Sequence, residues 1–119
     1  MGIMKATDRF VVRGAACLVD GERMPIANLS VGGLFAVTDR PPIAGQVVSL
    51  DLALPEQESP LHIRGQVTWV NEDGKRIPHM PPGFGIKITQ ISFVDKLALL
   101  GFLRRSNVTR ARGEDASDA

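Results

Sequence analysis

Tyrosine is absent from the 119 residues, and cysteine and tryptophan occur once each. A single cysteine, Cys17, excludes an internal disulfide and any multi-cysteine zinc site, and it fits a reducing compartment, so the cytoplasm is the expected location. Histidine is scarce too. His62 and His79 lie apart, and no HExxH, CxxC or phosphate-loop pattern accompanies them, so no catalytic residue and no metal ligand is expected, and the chain is not read as an enzyme. Net charge is nearly missing, at +1, which leaves no overall field to draw the chain to nucleic acid. The longest apolar run, Leu97 to Leu103, is far short of the roughly 18 residues that span a bilayer. No membrane insertion is expected. The N-terminus carries no apolar segment after Lys5, and Ala6 stands where a myristoylation motif wants Ser or Thr.

What is present is turn chemistry between short apolar stretches: 12 glycines and 8 prolines punctuate a chain that is 44% hydrophobic, enough for one modest core. Residues 1–9 read as a flexible lead-in. From Val11 to Val19 apolar and small residues predominate, and Asp20-Gly21 then signals a hairpin into a second strand from Arg23 to Leu29. LFAVT at 34–38 is a third strand, and DRPPIAG reverses the chain. QVVSLDLAL at 46–54 alternates Val48, Leu50, Leu52 and Leu54 against Val47, Ser49, Asp51 and Ala53. LHIRGQVTWV at 61–70 places Leu61, Ile63, Gly65, Val67 and Trp69 on one face, which predicts an inward Trp69. A charged, proline-rich exposed loop, NEDGKRIPHMPPG, leads to a sixth strand in FGIKIT.

Ser92, three residues before Asp95, resembles a helix cap, and FVDKLALLGFLRR then predicts a helix over about Phe93 to Arg105 with cations in its last turn. The helix is apolar on most sides, so it should cover the sheet or meet a second copy in a homodimer. Residues 106–119 lack apolar anchors and read as a disordered tail. The expected fold is mainly β: a small six-stranded antiparallel split barrel with one C-terminal helix, its domain spanning residues 10–105.

One stretch asks for more than a turn. NLSVGG, residues 28–33, packs an amide, a hydroxyl and two glycines between strands two and three. Such residues build a good turn or β-bulge by themselves. Read with RFVVR upstream, however, they resemble the PilZ domain family, whose members carry RxxxR before the first strand and [D/N]xSxxG after the second. Arg9 and Arg13 satisfy the first spacing, and Asn28, Ser30 and Gly33 the second. In a second register Arg9 is the later cation, placed just before an apolar residue, and Lys5 takes the earlier position. VTWV and PPGFGIKI extend the likeness over roughly residues 9 to 105.

The resemblance implies a receptor for the bacterial second messenger cyclic di-GMP, bound through Arg9, Arg13, Asn28, Ser30 and Gly33, that relays its state to an effector protein in motility, pili or exopolysaccharide control. It implies no further cofactor. The chemistry suits that ligand, because a guanidinium fork can hold a phosphate or meet guanine O6 and N7 in plane. Some members of the family bind no nucleotide, and an adaptor with a protein partner is the alternative. No DNA or RNA partner is expected: Arg104, Arg105, Arg110 and Arg112 lack the exposed aromatics of a stacking platform, and the tail ends acidic.

Overall fold

A two-residue turn at Asp20 and Gly21, both with positive φ of 52° and 81°, folds β1 (Ala16–Val19) back onto β2 (Glu22–Leu29). That turn has the twist that paired strands require, and glycine adopts it without strain. The remaining elements are β3 (Gly33–Val37), β4 (Val47–Ala53), β5 (Leu61–Asn71), β6 (Gly83–Ile91) and α1 (Phe93–Arg105). This computed structural model describes residues 9–72 and 79–105. The expectations of a flexible segment over residues 1–8, of a tail after 105 and of the loop between 73 and 78 lie outside the described residues.

All neighbouring strands are antiparallel, and the order β1-β2-β3-β6-β5-β4 closes because β4 pairs with β1. The barrel is therefore closed, the six-stranded antiparallel fold with one C-terminal helix that the sequence predicts. Its interior takes every second side chain: Val48, Leu50 and Leu52 from β4 meet Leu61, Ile63 and Val67 from β5 and Phe84 and Ile86 from β6, all buried. Leu99, Phe102 and Leu103 of α1 join the same core. The cap at the start of α1 forms as the residue types require, Ser92 Oγ accepting from the Asp95 amide at 3.0 Å. The Asp95 carboxylate adds a tether, accepting from the His62 backbone amide at 3.1 Å.

Three expectations change. The first strand does not begin at Val11: Arg13 and Gly14 form a turn, with Gly14 at φ 84°, and regular pairing starts at Ala16. Upstream of that turn, among the described residues, Phe10 alone forms a bridge, to Leu29. Trp69 does not face inward. The β5–β6 register slips between Val67 and Trp69, so Val67 opposes Ile86 and Trp69 opposes Gly85, and the extra residue turns Trp69 to the outer wall. Asn71 is not an exposed loop residue either; it is the last residue of β5, fully buried, and its Nδ2 donates to the Met80 and Pro81 carbonyls at 3.2 and 3.1 Å.

Candidate functional site

Ser30 organises the β2–β3 connection. Its Oγ accepts from the amides of Gly32 and Gly33 at 3.2 and 3.0 Å and donates to the Gly33 carbonyl at 3.1 Å, while its own amide donates to the same carbonyl at 2.8 Å. The hydroxyl is buried and committed to the turn. Gly33 serves packing: a Cβ there would fall 2.2 Å from the Ile86 carbonyl oxygen, so only glycine lets β3 lie this close to β6.

Arg9, the last residue of the expected lead-in, is held in place. Its neighbour Phe10 exchanges backbone hydrogen bonds with Leu29, and Arg9 Nη1 donates to Asn28 Oδ1 at 2.9 Å. Burial pushes the guanidinium pKa below its ordinary value. An arginine stays protonated across any physiological range, so partial burial concentrates its charge. The acceptor is a neutral amide, and among the described residues no carboxylate pairs with Arg9. Among the described residues the charge of Arg9 therefore meets a dipole and not an anion. Arg13 is exposed in its turn and makes no hydrogen bond or ion pair among the described residues. Arg9, Asn28, Ser30 and Gly33 are thus brought together on one edge of the barrel, and Arg13 is not fastened to them. Lys5 lies outside the described residues.

Strand register extends this corner into a wall. Asn28 opposes Phe35, Phe35 opposes Gly85, and Gly85 opposes Trp69, so one row crosses β2, β3, β6 and β5 on the outer surface. The Phe35 and Trp69 rings stack at 5.1 Å between centroids, inclined by 30°. Trp69 lies over Gly85, where a Cβ would come 2.3 Å from its Nε1. Phe35 is covered, and Trp69 keeps part of its surface exposed. One row further, exposed Lys87 opposes Gly33. Sequence reasoning missed Trp69, Phe35 and Lys87 as wall residues, since their common face depends on the bulge and on pairing between distant strands. A GxG pattern beside an aromatic, Gly83 and Gly85 in FGIKI's approach, was the available signal.

A second feature lies elsewhere. A groove of about 610 Å³ on β1, β4, β5 and β6 is lined by Asp51, His62, Arg64 and Gln90, among others. There His62 Nδ1 and Asp51 Oδ1 stand 2.6 Å apart, both well exposed. It includes none of Arg9, Asn28, Ser30 or Gly33. We place the candidate site at the Arg9 wall, where a half-buried cation on a neutral amide stands at one end of a row that leads to an aromatic face. Among the described residues no cluster of three or more His, Cys, Asp or Glu could hold a metal.

The described residues form a small closed β-barrel with a cationic, partly aromatic outer wall. Comparison with protein families matches residues 6–105 to the PilZ domain, and the chain belongs to that family. The solved structure of the Bacillus subtilis inhibitor of motility, MotI/DgrA, is similar in fold, with a TM-score of 0.71 at 21% identity over 89% of this chain and 52% of that one. The chain thus spans about half the length of that protein. No curated protein matches it in sequence. Among the described residues no helix is long and apolar enough to cross a membrane.

Proposed function

We propose that the protein is a cytoplasmic receptor for cyclic di-GMP that acts without catalysis and relays the ligand's presence to an effector protein. The observation that carries this reading is the Arg9–Asn28 pair, a half-buried cation on a neutral acceptor at the edge of the PilZ motif. A phosphate of the ligand would complete the charge balance there, and a bidentate guanidinium contact would add direction. Ser30 and Gly33 contribute by shape: the first holds the turn, the second keeps β3 against β6. Asn28 and the exposed face of Trp69 offer an amide and a stacking surface to a guanine. Arg13, or Lys5 in the other register, supplies the second cation as the N-terminal segment closes over the ligand and changes the surface shown to the effector.

Calorimetric titration with cyclic di-GMP tests this. Wild-type protein should bind, and Arg9→Ala should lose a charge-assisted contact of about 1.5 to 3 kcal/mol, roughly ten- to more than a hundredfold in affinity. Arg13→Ala and Lys5→Ala then show which register holds. Folded wild type that gives neither heat nor a melting shift with millimolar ligand overturns the receptor reading and leaves the adaptor.

A further inference from the structure

We propose that α1 pairs antiparallel with α1 of a second copy of this chain, making the protein a two-fold dimer. The proposal does not depend on cyclic di-GMP. Leu99, Phe102 and Leu103 are the residues that α1 lays into the core. At 3.6 residues per turn the opposite face is centred on Leu97 and Gly101, with Phe93 and Val94 one turn before and Arg104 one turn after. Phe93 and Val94 are 75% and 74% exposed and Leu97 51%. A helix that is apolar on both faces belongs between two partners, and the barrel supplies one.

The face is complementary to itself. A two-fold axis through the middle of α1, near Leu99, sets Leu97 of one copy opposite Gly101 of the other, a large apolar side chain against a residue with none. A Cβ at Gly101 would meet only the far end of its own Arg105, Nη1 at 3.2 Å, so the space above it is open to a visiting side chain. The same axis sets Phe93 and Val94 against Arg105 and Arg104, where a guanidinium can lie on the Phe93 ring. It also opposes the two helix dipoles. Every contact occurs twice, as a two-fold interface demands.

Sedimentation equilibrium of the full chain reads the result. A 13-residue helix makes an interface at the small end of specific contacts, so loading should run from about 5 to 500 µM. Wild type should pass from monomer to dimer in that range. Leu97→Asp should weaken association at least 30-fold, while melting at the lowest concentration stays unchanged because Leu97 lies outside the core. Register is tested by oxidation: a mixture of Leu97→Cys and Gly101→Cys chains should cross-link, and Leu97→Cys alone should not, with Cys17 buried and out of reach. A wild type that stays monomeric at the highest concentration overturns the proposal and gives the face to another occupant. So does a dimer indifferent to Leu97→Asp, or one that cross-links only through position 97.

Discussion

Replacing Gly33 by alanine adds one methyl group where the structure has no room for it. The new Cβ would stand 2.2 Å from the Ile86 carbonyl oxygen and 3.3 Å from its carbon. No rotamer change relieves this, because the obstacle is backbone. Strands β3 and β6 must separate by about 1 Å to restore ordinary contact, which strains the Ile88 amide bond to the Gly32 carbonyl, now 2.8 Å, and the bonds that Ser30 makes to residue 33. Overpacking typically costs about 1 to 3 kcal/mol, and one weakened hydrogen bond about 1 more. A loss near 3 kcal/mol is therefore expected. For a domain of this size each kcal/mol moves the melting temperature by roughly 4 to 8 °C, so the midpoint should fall by about 12 to 24 °C. Differential scanning calorimetry measures it. Ser30→Ala, which leaves two turn amides without their acceptor but adds no bulk, should cost less, about 1 to 2 kcal/mol. A Gly33→Ala midpoint within about 3 °C of wild type would refute the close-approach argument, and would mean that glycine is kept there for something other than packing.

Trp69→Ala should cost about 2 to 3 kcal/mol in urea unfolding, below the figure for a core tryptophan, because the ring covers Phe35 from outside; a loss under about 0.5 kcal/mol would mean Phe35 is covered by other groups. Burial pushes the Cys17 thiol up to about 11 from 9.0, so its contribution is fully present below pH 9 and is lost as pH rises through 11. The stability difference between wild type and Cys17→Ala should shrink by an amount on the order of 2 kcal/mol across that window, in a chain with no tyrosine to titrate beside it; parallel pH profiles would contradict this. Asp95→Ala removes the acceptor of the His62 amide, so hydrogen exchange should speed up at that amide and over the first turn of α1 and leave the other barrel amides unchanged.

Strand positions were legible because period-two alternation is a local signal. The stretch 46–54 contains β4, 61–70 falls inside β5, and the helix expected over Phe93 to Arg105 has those bounds. Single-residue insertions were not legible. Alternation carried past Val67 puts Trp69 inside, and only pairing with β6 shows where the count slips. The turn at Arg13 and Gly14 likewise hides in a run of small and apolar residues. The motif residues could be read one by one, yet their spatial relation could not. That Arg9 reaches Asn28, 19 positions away, depends on Phe10 bridging to Leu29. That Asn28 shares a row with Trp69 depends on three strand registers at once. Asn71 was misread for a physical reason: a charged, proline-rich neighbourhood hides a buried amide that ties down the carbonyls of the loop's far end.

The ring of strands also dictates how the chain comes together in time. Pairing of β1 with β4 joins Cys17 to Leu52, and pairing of β3 with β6 joins Leu34 to Ile86, so closure waits on contacts between distant parts of the chain. The β1–β2 hairpin can form early and alone, but it gains its full apolar cover only when both closures are complete. Loop entropy must be spent before those contacts return anything, which places folding on the slow, millisecond-to-second side for small domains. In exchange, the finished ring leaves, among the described residues, no unpaired strand edge on which a second chain could nucleate a sheet.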